Sequence, residues 1–191
     1  GNLEESMTAI EPITVFLVDD HDVVRKGLHY YLSAHAEIAI VGEAGDAQSA
    51  VAGVTRLVPD VVLMDLLLPL QPNGNPHEQG GIEATRRIRQ ASPFTQVVVL
   101  TSFVQDELLF AAVRAGALSY LLKDADAETL LATIRAANRG EAVLHPRVAS
   151  RLMAEISAPG QAGNASAKLS NSLTDREMEV LRLIAQGMSN A

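Results

Sequence analysis

The sequence predicts an α/β protein built on a doubly wound parallel sheet, and three observations lead to this prediction. Short apolar runs alternate along the chain with segments whose apolar residues recur at helical spacing. The composition is 48% hydrophobic but only 4% aromatic, without Trp, so the core must be aliphatic. One apolar run, Val61 to Leu68, carries a single carboxylate, Asp65, and ends at Pro69. Right-handed crossovers between parallel strands would place helices on both faces of such a sheet.

Length, charge and cysteine content limit the classes of protein. A chain of 191 residues can hold one large domain, or one domain of roughly 120 to 150 residues and a smaller unit. The chain has no Cys, which excludes a disulfide scaffold and fits a reducing cytoplasm. Its net charge of −8 argues against a general nucleic-acid-binding surface. No run approaches the ~20 apolar residues of a membrane span, so we expect a soluble, cytoplasmic protein without membrane contact.

Five strands and five helices are expected in alternation after a polar N-terminal extension. Residues 1–12 lack periodicity, and Met7 is a plausible native start, so we exclude them from the fold as an extension or cloning remnant. The expected strands are Ile13–Val18, Ile38–Val41, the run from Val61 to Asp65, Gln96–Leu100 and Leu118–Leu122. The expected helices are Asp22–Ala34, a helix capped by Asp46 that runs to about Leu57, Ile82–Gln90, an Ala-rich helix ended by Gly116, and Ala127–Asn138, closed by Gly140.

Asp65 interrupts the most apolar run and is expected to mark the end of a strand. An unpaired carboxylate buried inside a sheet would cost several kcal/mol. In an open α/β sheet, by contrast, the carboxyl ends of the strands open onto the ligand crevice. We therefore expect Asp65 to face whatever this protein binds or reacts with.

Four other polar side chains follow expected strands: Asp19, Asp20, Thr101 and Lys123. Three carboxylates at one edge predict a site for Mg²⁺, which prefers oxygen ligands, because like charges ~4 Å apart would otherwise repel by about 4 kcal/mol per pair. With the cation bound, a carboxylate can attack a phosphoryl group. Lys123 would add a fixed positive charge and Thr101 a hydrogen bond to a phosphoryl oxygen. The pattern predicts phosphoryl transfer with an aspartate nucleophile.

Each residue at this edge also has a simpler interpretation. Asp20 could cap the helix that follows it, and Thr101 could cap another. Lys123 could be a surface charge and Tyr120 a core residue. Their joint occurrence in this order at strand ends favours the chemical site.

The pattern changes after Gly140. Residues 141–172 are expected to form a linker with a short amphipathic helix, Pro146–Ile156, followed by a stretch rich in Ala, Gly, Ser and Asn. Thr174 and Glu177 form a capping box that begins another amphipathic helix. A single helix cannot bury its own apolar face, so residues 173–191 are expected to be the start of an incomplete helical domain.

The residues from Ile13 to Asn138 resemble a response-regulator receiver domain, and Leu173 to Asn190 is similar to the opening of a LuxR-type helix-turn-helix domain. Together the two motifs indicate the NarL/FixJ class of two-component transcription regulators. The resemblance implies a flavodoxin-like receiver at residues 13–140 with strand order 2-1-3-4-5. It also implies a role for each residue: Asp65 as phosphoacceptor; Asp19, Asp20, Asp65 and the Leu67 backbone carbonyl as Mg²⁺ ligands; Thr101 as switch hydroxyl; Tyr120 as switch aromatic; and Lys123 as the phosphate-binding lysine.

The resemblance further implies the partners. A sensor histidine kinase would supply the phosphoryl group, and phosphorylation would promote a homodimer that binds DNA through a complete C-terminal domain. No enzymatic activity is expected beyond self-phosphorylation and self-dephosphorylation.

Two features depart from the family pattern. Leu70 to Gly80 is longer than the usual connection at this point, and within it His77 and Glu78 could be added ligands, although a solvated loop is the favoured interpretation. Residues 161–191 contain no basic recognition helix, so this chain is not expected to bind DNA.

Two alternatives from other classes stay open. Asp20-His21-Asp22 partly matches the nucleophile motif of haloacid-dehalogenase-type phosphatases, although that family gives Asp65 no role. A receiver-like interaction module without phosphorylation is the other alternative, and it leaves the residues at the sheet edge unexplained.

Overall fold

A five-stranded parallel sheet organises the chain, which the computed structural model describes for residues 10–77, 79–102 and 105–157. The strands in chain order are β1 (Ile13–Val18), β2 (Ile38–Ala44), β3 (Val61–Met64), β4 (Leu68–Pro69), β5 (Pro76–His77), β6 (Gln96–Thr101) and β7 (Ser119–Leu122). The main sheet has the order β2-β1-β3-β6-β7, while β4 and β5 form a separate antiparallel pair. The predicted order 2-1-3-4-5 is therefore confirmed for the five main strands.

Helices follow the main strands, as predicted for a doubly wound sheet. They are α1 (Asp22–Ser33), α2 (Ala47–Leu57), α3 (Gly80–Ala91), α4 (Asp106–Ala115), α5 (Ala127–Asn138) and α6 (Pro146–Ser157). Alternate residues of β1 enter two different apolar clusters, Val15 and Leu17 one of them and Phe16 and Val18 the other. The sheet therefore carries core on both faces. Asp46 caps α2 as expected, accepting a hydrogen bond from the Ser49 backbone N–H at 2.8 Å.

Strand β2 is three residues longer than predicted, ending at Ala44 instead of Val41. Gly42 and Glu43 are residue types that are uncommon in strands, so the sequence predicted an earlier end for β2. In the structure Gly42 lies against the ring of Phe16, where the absence of a side chain lets the strand continue. A Cβ at this position would come within 2.5 Å of that ring. The extension matters for the site, because the Asp19 backbone N–H donates to the Ala44 carbonyl at 3.1 Å.

Helix α1 buries less of its length than its apolar spacing suggested. Val23 is 83% exposed. Among the described residues of α1, Leu32 alone is fully buried. Leu28 and Tyr31 are partly buried against the core. In α3, Ile82, Thr85 and Ile88, which recur at helical spacing, are all buried.

Helix α6 packs against the sheet domain. Val148 and Leu152 of α6 are buried in the same apolar cluster as Tyr120. Just before α6, Leu144 forms a parallel bridge with Tyr120 on strand β7. Residues 158–191, with the rest of the expected linker and the capping-box helix, lie outside the described part of the chain. Within that part, no helix is long and apolar enough to cross a membrane.

Candidate functional site at the carboxyl edge of the sheet

Two neighbouring strands bring Asp19 and Asp65 together. Strands β1 and β3 are paired in parallel, with Val18 opposite Met64, and each aspartate is the next residue after its strand. The Asp65 backbone N–H continues this ladder by donating to the Val18 carbonyl at 2.9 Å. Both side chains are buried, Asp19 being 3% and Asp65 4% exposed.

Lys123 supplies the positive charge between these two carboxylates. Its Nζ donates to Asp19 Oδ2 at 2.7 Å and to Asp65 Oδ2 at 3.1 Å. Its backbone N–H donates to the Thr101 carbonyl at 2.8 Å, which fixes the start of the β7–α5 loop against the end of β6. The lysine is therefore part of the site and not a solvated surface charge.

The protonation of this group of residues follows from burial and charge. Burial raises the pKa of Asp65 to about 6, although the Lys123 charge opposes this shift and the Asp19 charge adds to it. Burial acts to lower the pKa of Lys123, but its hydrogen bond to Asp19 and the two carboxylate charges together raise it. At neutral pH the site therefore holds an ammonium group and an ionised Asp65.

Asp20 completes a cluster whose side chains could hold a cation. Ligand atoms of Asp19, Asp20, His21 and Asp65 all lie within 4.8 Å of one another. Asp20 Oδ1 is buried and accepts no hydrogen bond from the described residues. His21 Nδ1 lies 3.0 Å from this oxygen, but not in a direction that makes a hydrogen bond. A buried carboxylate oxygen without a partner is costly, and an oxygen-rich donor set of this kind fits a hard cation such as Mg²⁺.

Thr101 lies on β6, the strand next to β3, and Tyr120 lies on β7, on the far side of β6. Both are 1% exposed. Thr101 is the last residue of β6 and pairs with Leu122, while Tyr120 lies near the middle of β7. Burial raises the pKa of Tyr120 to about 12, so its phenol is neutral at physiological pH. Thr101 is therefore on the strand beside β3, and Tyr120 is one strand further out.

A pair of glycines shapes the loop after Asp65, and sequence reasoning missed it. A Cβ on Gly80 would lie 1.9 Å from the Leu68 carbonyl oxygen, and one on Gly81 would lie 2.2 Å from that of Asp65. The Gly81 backbone N–H donates to the Leu66 carbonyl at 2.9 Å. The start of α3 therefore packs directly on the backbone that carries Asp65. Two adjacent glycines before an amphipathic helix were the available signal.

Arg25 on α1 was also missed. Its guanidinium donates to the backbone carbonyl of Asp19 and pairs with Asp22 and Glu43. Sequence periodicity shows only that Arg25 lies one turn into α1, and not that its side chain reaches back to the site.

The simpler interpretation as helix caps fails for Asp20 and Thr101, whereas Tyr120 is a core residue. His21, and not Asp20, is the N-cap of α1, and Gln105, and not Thr101, is the N-cap of α4. The Asp22 side chain is 72% exposed and outside the carboxylate cluster, so Asp20-His21-Asp22 does not form the paired carboxylates of a phosphatase nucleophile motif.

The long loop after Asp65 is a small hairpin made by β4 and β5. The Gln48 backbone N–H, at the start of α2, donates to the Leu70 carbonyl at 3.1 Å. His77 is exposed, accepts a hydrogen bond from the Gln79 backbone N–H, and is absent from the carboxylate cluster in the described part of the chain. His77 is therefore an exposed residue of β5 and not a ligand of the cluster, and Glu78 lies outside the described residues.

Comparison with known proteins agrees with this geometry. Residues 15–135 match the family model described as the response regulator receiver domain, so the chain belongs to the response regulators. It is 40% identical to the transcriptional regulatory protein LiaR of Bacillus subtilis (strain 168), over 93% of this chain and 79% of LiaR. It is 38% identical to the response regulator protein VraR of Staphylococcus aureus (strain N315), over 93% of this chain and 78% of VraR.

The fold also has a solved counterpart. A two-component response regulator of the LuxR family from Aurantimonas sp. SI85-9A1 superposes with a TM-score of 0.66 at 34% identity, covering 76% of this chain and 98% of that one. The resemblance to LuxR-family response regulators is thereby confirmed, as are the receiver fold and the assignment to two-component transcription regulators. The family match and the exposed Asp22 argue against the phosphatase alternative.

Proposed function

We propose that this response regulator accepts a phosphoryl group on Asp65 in a Mg²⁺-dependent reaction, and that the phosphoryl group controls a C-terminal DNA-binding region. The observation that carries the proposal is the joint position of two buried carboxylates bridged by Lys123 beside an Asp20 oxygen that accepts no hydrogen bond from the described residues. Ion-pair networks also occur for structural reasons, but a buried carboxylate oxygen without a hydrogen bond is rare in them.

The reaction assigned to Asp65 is a nucleophilic displacement at phosphorus. One carboxylate oxygen of Asp65 forms a bond to the phosphorus of a donor, and the bond from phosphorus to the donor's leaving atom breaks. The leaving group departs with that electron pair, and Asp65 becomes an acyl phosphate. A pKa of about 6 leaves Asp65 ionised at neutral pH while keeping it more basic than an exposed aspartate.

Lys123 has two tasks in this scheme. Before the reaction its ammonium group offsets the charges of Asp19 and Asp65, which would otherwise repel each other. During the reaction a negatively charged phosphoryl group approaches Asp65, and the same ammonium can donate to a phosphoryl oxygen. The 3.1 Å contact with Asp65, longer than the contact with Asp19, is the one that the phosphoryl group would replace.

Asp19, Asp20, Asp65 and the backbone carbonyl of Leu67 are proposed to hold Mg²⁺. Bound there, the cation would neutralise charge on both the carboxylates and the phosphoryl oxygens. The Leu67 backbone N–H donates to Asp65 Oδ1 at 3.4 Å, so residue 67 lies beside the Asp65 carboxylate.

The signal is proposed to leave the site through Thr101 and Tyr120. A phosphoryl group on Asp65 adds about two negative charges, and the Thr101 hydroxyl can donate to one of its oxygens. A shift of Thr101 on β6 changes the space beside Tyr120 on β7. Because Tyr120 bridges to Leu144, and its cluster includes Val148 and Leu152, a change at Tyr120 would reach α6 directly.

The partners follow from the class of protein. Response regulators of two-component systems pair with histidine kinases, and we propose a sensor kinase as the phosphodonor of this chain in the cytoplasm. We further propose the domain division of the sequence analysis, with a linker up to residue 172 and a helix-turn-helix start from residue 173, and a homodimer that forms on phosphorylation. The function is regulatory, with no substrate other than the chain itself.

The proposal is tested by incubating the protein with acetyl phosphate and measuring acid-labile phosphate. We expect labelling with Mg²⁺, none with EDTA, and none in Asp65→Asn. Asp22→Asn, which removes a nearby exposed carboxylate, is the matched control and should label normally. Labelling of Asp65→Asn would overturn the assignment, and no labelling of the wild type under any condition would favour the interaction module.

A further inference from the structure

Arg25 on α1 contacts the backbone of the β1–α1 loop and not the carboxylates of Asp19 and Asp20. Arg25 Nη1 donates to the backbone carbonyl oxygen of Asp19 at 2.5 Å. The same guanidinium donates through Nη2 to Asp22 Oδ1 at 2.5 Å and lies 3.3 Å from Glu43 Oε2 through Nε. The side chain is 17% exposed, so it is largely enclosed by these partners.

The three acceptors lie on different elements around the β1–α1 loop. Glu43 belongs to β2, Asp22 is the first residue of α1, and the Asp19 carbonyl lies in the loop between β1 and α1. A planar guanidinium with five fixed N–H directions can serve all three at once, whereas an ammonium group cannot do so in one geometry. Arg25 therefore joins the loop to the strand and to the helix on either side of it.

Arg25 binds the Asp19 carbonyl without taking a carboxylate oxygen of Asp19 or Asp20. Asp19 Oδ1 accepts from the His21 backbone N–H at 2.8 Å and Asp19 Oδ2 accepts from Lys123, so the arginine forms neither of these bonds. Asp20 Oδ1, which accepts no hydrogen bond within the described part of the chain, is likewise not taken by Arg25. A cation that bound the carboxylates directly would compete with Mg²⁺, whereas one that binds the main chain can fix the loop without occupying a ligand position.

We propose that Arg25 is a positioning residue for the acidic pair: by holding the Asp19 carbonyl it fixes the loop geometry that lets Asp19 and Asp20 bind Mg²⁺. This proposal rests on the proposed function of the site. Groups that orient metal ligands without touching the metal typically change metal affinity by about 10- to 100-fold when they are removed. The effect of losing Arg25 should therefore appear in the Mg²⁺ requirement and not in the chemistry of Asp65.

The test measures the rate of labelling by acetyl phosphate as a function of Mg²⁺ concentration in the full chain. Arg25→Gln should raise the Mg²⁺ concentration for half-maximal rate about tenfold, with the rate at saturating Mg²⁺ nearly unchanged. Arg25→Lys keeps the positive charge but loses the planar guanidinium, so it should also require more Mg²⁺ than the wild type. A wild-type Mg²⁺ dependence in either variant overturns the proposal. If Arg25→Gln fails to fold, the Mg²⁺ dependence of Arg25→Lys alone decides the test.

Three controls separate positioning from other effects. Asp22→Asn and Glu43→Gln each weaken one side-chain partner of Arg25 while sparing the Asp19 carbonyl contact, and both should keep the wild-type Mg²⁺ dependence. If either matched Arg25→Gln, the surface ion pairs and not the carbonyl contact would be responsible, and the proposal would fail. Arg86→Gln removes an exposed arginine that pairs with Glu83 on α3, and should change nothing.

The same assay distinguishes failure of this inference from failure of the proposed function. If Asp65→Asn and Asp20→Asn abolish labelling while Arg25→Gln behaves as wild type, only the positioning role is lost. If Asp65→Asn labels normally, the site itself has been assigned wrongly, and the effect of Arg25 must be explained otherwise.

Discussion

The Lys123 ammonium group contacts Asp65 Oδ2 at 3.1 Å across the end of an intervening strand, since β6 separates β3 from β7 in the sheet. The Asp65 carboxylate thus depends on a cation from two strands away. This arrangement couples the ionisation of Asp65 to the β7–α5 loop. It also places the lysine where a phosphoryl group on Asp65 would be bound.

Removal of the Lys123 charge should raise the pKa of Asp65 above about 6, because the lysine charge lowers that pKa and the Asp19 charge raises it. We expect this shift in Lys123→Met, measured by NMR titration of the Asp65 carboxyl carbon in metal-free buffer. Lys26→Met, which removes an exposed lysine of α1, is the control and should leave the titration unchanged. A lower Asp65 pKa in Lys123→Met would contradict the electrostatic account.

Asp65→Asn should stabilise the metal-free protein at pH 8. The folded pKa of about 6 lies above the ordinary value of 3.8, so the ionised carboxylate destabilises the folded state above pH 6. Below the ordinary value both states are protonated and this penalty disappears. We expect a gain in unfolding free energy of up to about 3 kcal/mol at pH 8, shrinking as the pH falls from 6 to 4.

Urea denaturation with EDTA at several pH values measures this gain. The exposed Asp22→Asn should show no comparable pH dependence, since its side chain is 72% exposed. A gain that grew towards pH 4 would have the wrong sign for a carboxyl group whose pKa is raised by folding.

Gly81→Ala should be strongly destabilising. Its Cβ would lie 2.2 Å from the Asp65 carbonyl oxygen, a backbone atom that can move only if the acceptor loop moves. Overpacking of this kind costs about 1–3 kcal/mol or more. Gly27→Ala is the matched control, because nothing lies within 4 Å of the added methyl group and alanine favours a helix. Thermal unfolding should show a lower midpoint for Gly81→Ala only, and equal midpoints would contradict the close packing.

Docking of α6 should contribute to the stability of the sheet domain. Leu152 is 1% exposed and lies in the cluster that includes Tyr120, so Leu152→Ala should cost about 2–4 kcal/mol. Ile156 on the same helix is 57% exposed, and Ile156→Ala should cost much less. Hydrogen exchange should also show faster exchange of the Tyr120 amide in Leu152→Ala. Similar losses in the two variants would mean that α6 is not docked as described.

The sequence predicted the sheet and the five carboxyl-edge residues well because both depend on local patterns. Apolar runs fixed the strands, and Asp65 stood out as the one charge in the most apolar run. The length of β2 was missed because the fit of Gly42 depends on the Phe16 ring from the next strand. Such contacts join residues far apart in the chain, and periodicity carries no information about them.

The same limit explains what the sequence could not show at the site. The bridge from Lys123 to Asp19 joins residues 104 positions apart, and its geometry exists only once β7 lies beside β6. The docking of α6 was missed for a related reason: its apolar stripe predicts a buried face but not the surface that buries it. Helix α1 shows the opposite case, because Val23 is an apolar residue of an amphipathic helix and is nevertheless exposed.

Direct location of the phosphoryl group tests the central claim most sharply. The wild-type chain, treated with acetyl phosphate and Mg²⁺, is reduced with borohydride, which converts an aspartyl phosphate to homoserine, and the modified residue is read by peptide mass spectrometry. The account predicts homoserine at position 65 and at no other aspartate, and none when EDTA replaces Mg²⁺. Homoserine at position 20, or at position 65 regardless of Mg²⁺, would contradict it.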